Sequence, residues 1–90
     1  MRVRKEKRHA RRDPRNSLRL ITESDLDGPC HGWEGETAFT LANGEVWQQS
    51  SWRQRTMHLC SPSVRVWRLG GNYWLEVEGV PEILPVTRLL

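Results

Sequence analysis

The strongest pattern in the chain is short-range alternation of apolar and polar residues, which begins near residue 26 and runs to the C-terminus. Thr37–Leu41 places Thr37, Phe39 and Leu41 on one face, and Asn43-Gly44 follows as a hairpin signal, because both residues tolerate positive φ. Val64 and Val66 alternate with Arg65 and Trp67. After Gly70-Gly71-Asn72, Tyr73, Leu75 and Val77 alternate with Glu76 and Glu78. A period of two is the mark of half-buried strands. The pattern predicts strands at 26–33, 37–41, 63–69, 73–78 and 84–89, with a long extended stretch over 45–59, read as one bent or bulged strand. Pro29 removes a ladder donor, so the first of these strands belongs at an edge or carries a bulge. Residues 17–25 are ambiguous. Ser17 can cap a short helix through Leu18, Leu20 and Ile21, while the alternation Leu18, Leu20, Thr22 fits a strand equally well. A short helix or irregular lead-in is the favoured reading.

Five to six short strands joined by tight turns predict an all-β domain over 17–90, most simply a small SH3-like barrel of antiparallel strands. Five tryptophans, Trp33, Trp47, Trp52, Trp67 and Trp74, supply much of the apolar surface. Trp33, Trp47 and Phe39 are expected in the core. Trp52 and Trp67 are expected at the surface.

Charge divides the chain at the same place. Residues 1–19 hold nine basic and two acidic side chains, a balance near +7, whereas residues 20–90 hold five basic and nine acidic ones, near −4. Residues 1–16 (MRVRKEKRHARRDPRN) have almost nothing to bury. They are expected to be a flexible tail, disordered when free or partly helical on an acidic partner. No apolar run is long enough to span a bilayer and no apolar region follows the N-terminal charges, so a cytoplasmic protein without membrane contact is expected. Cys30 and Cys60 are then reduced thiols.

Gly32, Trp33, Gly35, Thr37, Leu41, Asn43, Gly44, Trp47, Gln49, Val77, Glu78, Gly79, Val86 and Arg88 form a spaced pattern: GW-x-G-x-T, a hydrophobic strand, NG-x-x-W-x-Q, then VEG and V-x-R. It resembles a small bacterial β-domain family of unknown function. That family occurs alone, including among mobile gene-cassette proteins, and appended to ATP-dependent DNA helicase-related proteins. The resemblance covers roughly 26–90 and implies a fold more than a function. It departs at residues 51–58, where the family is tyrosine-rich and this chain reads SWRQRTMH.

Four chemistries compete. Nucleic-acid binding is suggested by aromatic residues among arginines, Trp52 with Arg53 and Arg55, and Trp67 with Arg65 and Arg68. The tail residues Arg4, Lys5, Lys7, Arg8, Arg11 and Arg12 would contact phosphates. Against it, the body is acidic, and the same residues also read as core tryptophans with solvated arginines. Cys30, His31, His58 and Cys60 offer a two-Cys, two-His set. Adjacent residues in a strand face opposite ways, however, and no C-x2-C spacing is present, so no metal is expected. No nucleophile with a base beside it and no glycine-rich phosphate loop can be read, so neither an enzyme nor a cofactor is expected. Self-association or a protein partner is favoured if five tryptophans exceed what a small barrel hides. The expectation is therefore a non-catalytic binding or accessory module, associated with nucleic acid through its tail and Trp/Arg surface, with a self-associating structural module as the alternative.

Overall fold

A computed structural model describes residues 18–90. The basic segment 1–16, with Arg4, Lys5, Lys7, Arg8, Arg11 and Arg12, lies outside the described residues. The expected all-β architecture is present, with eight strands rather than five or six: β1 (Leu18–Asp25), β2 (Pro29–Glu34), β3 (Ala38–Thr40), β4 (Val46–Gln49), β5 (Gln54–Cys60), β6 (Ser63–Leu69), β7 (Asn72–Val77) and β8 (Ile83–Arg88). All pairings are antiparallel. Six strands form one sheet in the order β1-β6-β7-β8-β4-β3, and β2 pairs with β5 in a separate ribbon. The two edges of the large sheet meet at a bridge between Leu26 and Leu41, flanked by Asp27 N–H to Thr40 O (2.9 Å) and Ala42 N–H to Asp25 O (2.8 Å). This seam gives the sheet its barrel-like curl.

Two sequence expectations need correction. Residues 18–25 are a strand, not a helix: β1 finds its ladder on β6, a partner distant in sequence, and Leu20 sits opposite Trp67. The long extended stretch is two strands. β4 stops at Gln49 because Pro85, facing Ser50, has no N–H to return. Ser50 N–H donates to Pro85 O (2.9 Å), and the ladder ends there. The chain then crosses to the other sheet as β5. Pro29 opens β2, at a strand start where a missing donor costs no ladder bond.

The inner face buries Val64 and Val66 of β6, Leu75 and Val77 of β7, and Leu84 and Val86 of β8. These pack against Leu26, Cys30, Trp33, Phe39, Leu41 and Trp47. Trp33 meets Phe39 edge-on at 6.3 Å between centroids, and Trp47 packs on Tyr73 at 5.2 Å. The hairpin falls where Asn43-Gly44 predicts it, but as a three-residue loop over 42–44: Gly44 alone takes positive φ (+94°), its N–H donates to Leu41 O (2.9 Å), and Asn43 Oδ1 accepts from Glu45 N–H (3.0 Å).

The ribbon depends on Gly32. Its φ is +104°, and a Cβ there would collide with the carbonyl group of Arg55 on the paired strand. Gly32→Ala therefore combines left-handed strain of about 1–2 kcal/mol with a backbone clash that must push β2 from β5. Denaturant unfolding of this variant is expected to lose about 3 kcal/mol or more. Gly28→Ala, also at positive φ but with open space around it, is expected to lose only the strain.

Candidate binding site

Buried Gln49 holds the break between β4 and β5 together. Its Oε1 accepts from Gly35 N–H (3.0 Å) and, at 3.4 Å, from Thr37 N–H. Its Nε2 donates to Ser51 O (3.0 Å) and Arg53 O (2.9 Å). A side-chain amide has two acceptor and two donor positions, and all four are used here. Thr37 Oγ1 accepts from Glu34 N–H (3.0 Å) and completes the turn. Two loops that would otherwise carry unmatched backbone groups are thus fixed to one side chain.

The fixed loop presents Trp52. Its side chain is the most exposed among the tryptophans, at 70 %, and its indole lies over Gly35, whose absent Cβ would sit 3.2 Å from Nε1. Arg53 and Arg55 leave the same segment and converge on Glu82, with Nη1–carboxylate distances of 3.2 and 3.0 Å. Arg53 also donates to Ile83 O at 3.1 Å. Two guanidinium groups share one carboxylate here, while Glu34 and Glu36 flank the Gly35 on which the indole rests. The two arginine side chains are about two-fifths exposed, so screening makes these ion pairs small contributors to stability.

The second predicted set is arranged otherwise. Trp67 is half-buried, and its Nε1 donates to Glu76 (2.8 Å). Arg65 shares the outer face with Trp67 but is held by Glu23 at 2.7 Å and approached by Glu76 at 3.9 Å. The hydrogen bond and charge of Glu23 raise its pKa above the ordinary arginine value. Arg68, next to Trp67 in the strand, points to the opposite face. There it stacks over Tyr73 at 5.9 Å and donates to Gly70 O (2.8 Å). One cation between two carboxylates leaves the Trp67 face with a negative excess.

His31 and His58 meet across the ribbon with ring centroids 5.6 Å apart. Cys30 is buried on the other face and Cys60 is exposed, both as free thiols. Among the described residues no three His, Cys, Asp or Glu side chains gather as a metal set.

Of the residues expected at a binding surface, Arg53 and Arg55 meet at Glu82, which carries no local signal in the sequence, and Trp52 stands exposed on the same segment. Gln49 was visible as part of NG-x-x-W-x-Q. Comparison with known protein families, with curated proteins and with solved structures finds no match to this chain. The family resemblance rests on its motif residues alone.

Gln49→Glu keeps the shape but replaces both donors with an acceptor facing Ser51 O and Arg53 O. It is expected to cost about 3 kcal/mol in denaturant unfolding. Trp52→Ala, at an exposed side chain, is expected to change stability by no more than about 0.5 kcal/mol.

Proposed function

We propose that the chain is a non-catalytic binding module whose contact surface is Trp52 with Arg53 and Arg55, and whose ligand is single-stranded nucleic acid. The carrying observation is an exposed indole on the loop fixed by Gln49, with Arg53 and Arg55 on the same segment. An aromatic face accepts any base by stacking, and neighbouring arginines neutralise phosphate. The basic residues of segment 1–16 extend the phosphate contacts along the strand. The acidic remainder of the body repels the backbone elsewhere and confines binding to this surface.

Fluorescence anisotropy with a labelled single-stranded oligonucleotide tests the proposal. Binding is expected at about 50 mM salt and falls steeply as salt rises. Each phosphate that a side chain neutralises adds about 0.7 to the steepness of the log–log salt dependence. Removing residues 1–16, with their six named cations, therefore reduces the steepness by about 4. Trp52→Ala is expected to weaken binding by about 1–3 kcal/mol, since that is the usual worth of one stacked base. Absence of binding at low salt overturns the reading.

Self-association is the second reading, favoured by one observation. Leu20, Trp67, Trp74 and Pro85 are opposite one another across β1, β6, β7 and β8, a row of apolar side chains on the outer face. Leu18 opposite Leu69 widens it, and Leu18 and Leu20 are 58 % and 47 % exposed. Such a row suits burial against a second copy. Light scattering over a concentration series is expected to show dimers, and Leu20→Glu is expected to return monomers. A monomer at all concentrations counts against it.

A further inference from the structure

We infer that the groove between β2 and β3 receives an extended, cationic peptide strand that pairs with β3 at Ala38, where its edge is open beyond the Leu26–Leu41 seam. The two strands follow one another through the Gly35 turn, yet do not pair: β2 turns away to β5 and β3 pairs with β4 alone. Between them lies a cavity of about 540 Å³, within the range of ligand pockets, with Trp33 and Phe39 among its lining residues.

The hydrogen-bond phase of β3 fixes which backbone groups face this groove. Gln49 N–H donates to Thr37 O (2.8 Å) and Leu41 N–H donates to Glu45 O (2.9 Å), so residues 37, 39 and 41 bond towards β4. Residues 38 and 40 therefore direct their N–H and C=O the other way. Thr40 confirms the phase, because its carbonyl accepts from Asp27 N–H (2.9 Å) across the seam. Ala38 has no ladder partner on that side among the described residues, since β3 ends the sheet there. Its N–H and C=O are the pair that an added antiparallel or parallel strand would satisfy.

Two further observations define the occupant. Trp33 Nε1 is buried without a hydrogen-bond acceptor among the described residues, in a residue that lines the groove. A buried indole donor is ordinarily paired, and a peptide carbonyl entering beside Trp33 supplies an acceptor. Asp27 and Glu34 also line the groove, near the two ends of β2, and neither is in an ion pair among the described residues. Arg55, the lining arginine, is engaged with Glu82. Carboxylates at both ends with the cation withdrawn select lysine or arginine side chains on the incoming strand. The Trp33–Phe39 pair selects an apolar one between them. The inference shares Arg55 with the nucleic-acid surface but uses neither Trp52 nor Arg53, and it survives if oligonucleotides do not bind.

The test uses the full chain labelled with ¹⁵N, titrated with a capped heptapeptide of alternating lysine and valine and with its glutamate–valine counterpart. Shifts are expected at the amides of Ala38 and Thr40 and at the Trp33 indole N–H, with the glutamate peptide weaker by about tenfold or more. Ala38→Pro removes the groove-facing donor while leaving the β3–β4 ladder intact, and is expected to weaken the lysine peptide by about tenfold or more. Where that variant fails to fold, N-methylation of alternate peptide residues replaces it: one alternate set abolishes binding and the other does not. The inference is overturned by shifts absent up to about 5 mM peptide, by shifts centred on β1 or Trp52, by a folded Ala38→Pro that binds normally, or by equal effects of the two methylated sets.

Discussion

The hydrogen bonds of the buried Gln49 amide solve a problem that the chain path creates. The chain must leave the six-stranded sheet after β4 and join a different sheet as β5, with only residues 50–53 in which to do so. A crossing this short exposes backbone groups that neither ladder can match, and leaving such groups buried and unpaired costs far more than one ordinary hydrogen bond gains. Gln49 resolves this by bonding both the 35–37 turn and the 51–53 loop, using every donor and acceptor it has. Glutamate has the reach without the donors, and asparagine has the donors without the reach. The side chain that closes the core therefore also sets where Trp52 stands.

From that constraint follows the difference between the two aromatic–arginine clusters. Near Trp52, two arginines share Glu82, and Glu34 and Glu36 flank the glycine beneath the indole. Near Trp67, Arg65 lies between Glu23 and Glu76, and the residual charge is negative. The side-chain inventory is nearly the same in both, and only the carboxylates set by the folded chain distinguish them. Glu82 also links β5 of the ribbon to the start of β8, so the ion pairs that tune the surface lie across the junction of the two sheets.

What the sequence revealed was local. Alternation located the inward residues of β6, β7 and β8, Asn43-Gly44 located the hairpin, and the W-x-Q spacing singled out Gln49 before its partners were known. The errors share a cause, which is dependence on distant residues. β1 is a strand because β6 offers it an edge, while its own pattern serves a helix equally well. β4 ends where it does because of Pro85 on another strand. Arg68 was grouped with Trp67 by adjacency in sequence, though neighbours in a strand occupy opposite faces. Glu82 could not be matched to Arg53 and Arg55 without knowing that β8 lies beside the β4–β5 crossing.

The distribution of charge over the described body also orders its remaining surfaces. With six arginines against nine carboxylates in residues 18–90, a phosphate backbone is repelled from most of the domain. The outer row of Leu20, Trp67, Trp74 and Pro85 is bordered by the Glu23–Arg65–Glu76 line, so this face combines an apolar centre with charge of both signs. The groove beside β3 carries Asp27 and Glu34 near its ends, neither in an ion pair among the described residues, beside the open backbone groups of Ala38. The three surfaces of this small domain thus differ mainly in where the fold places their carboxylates.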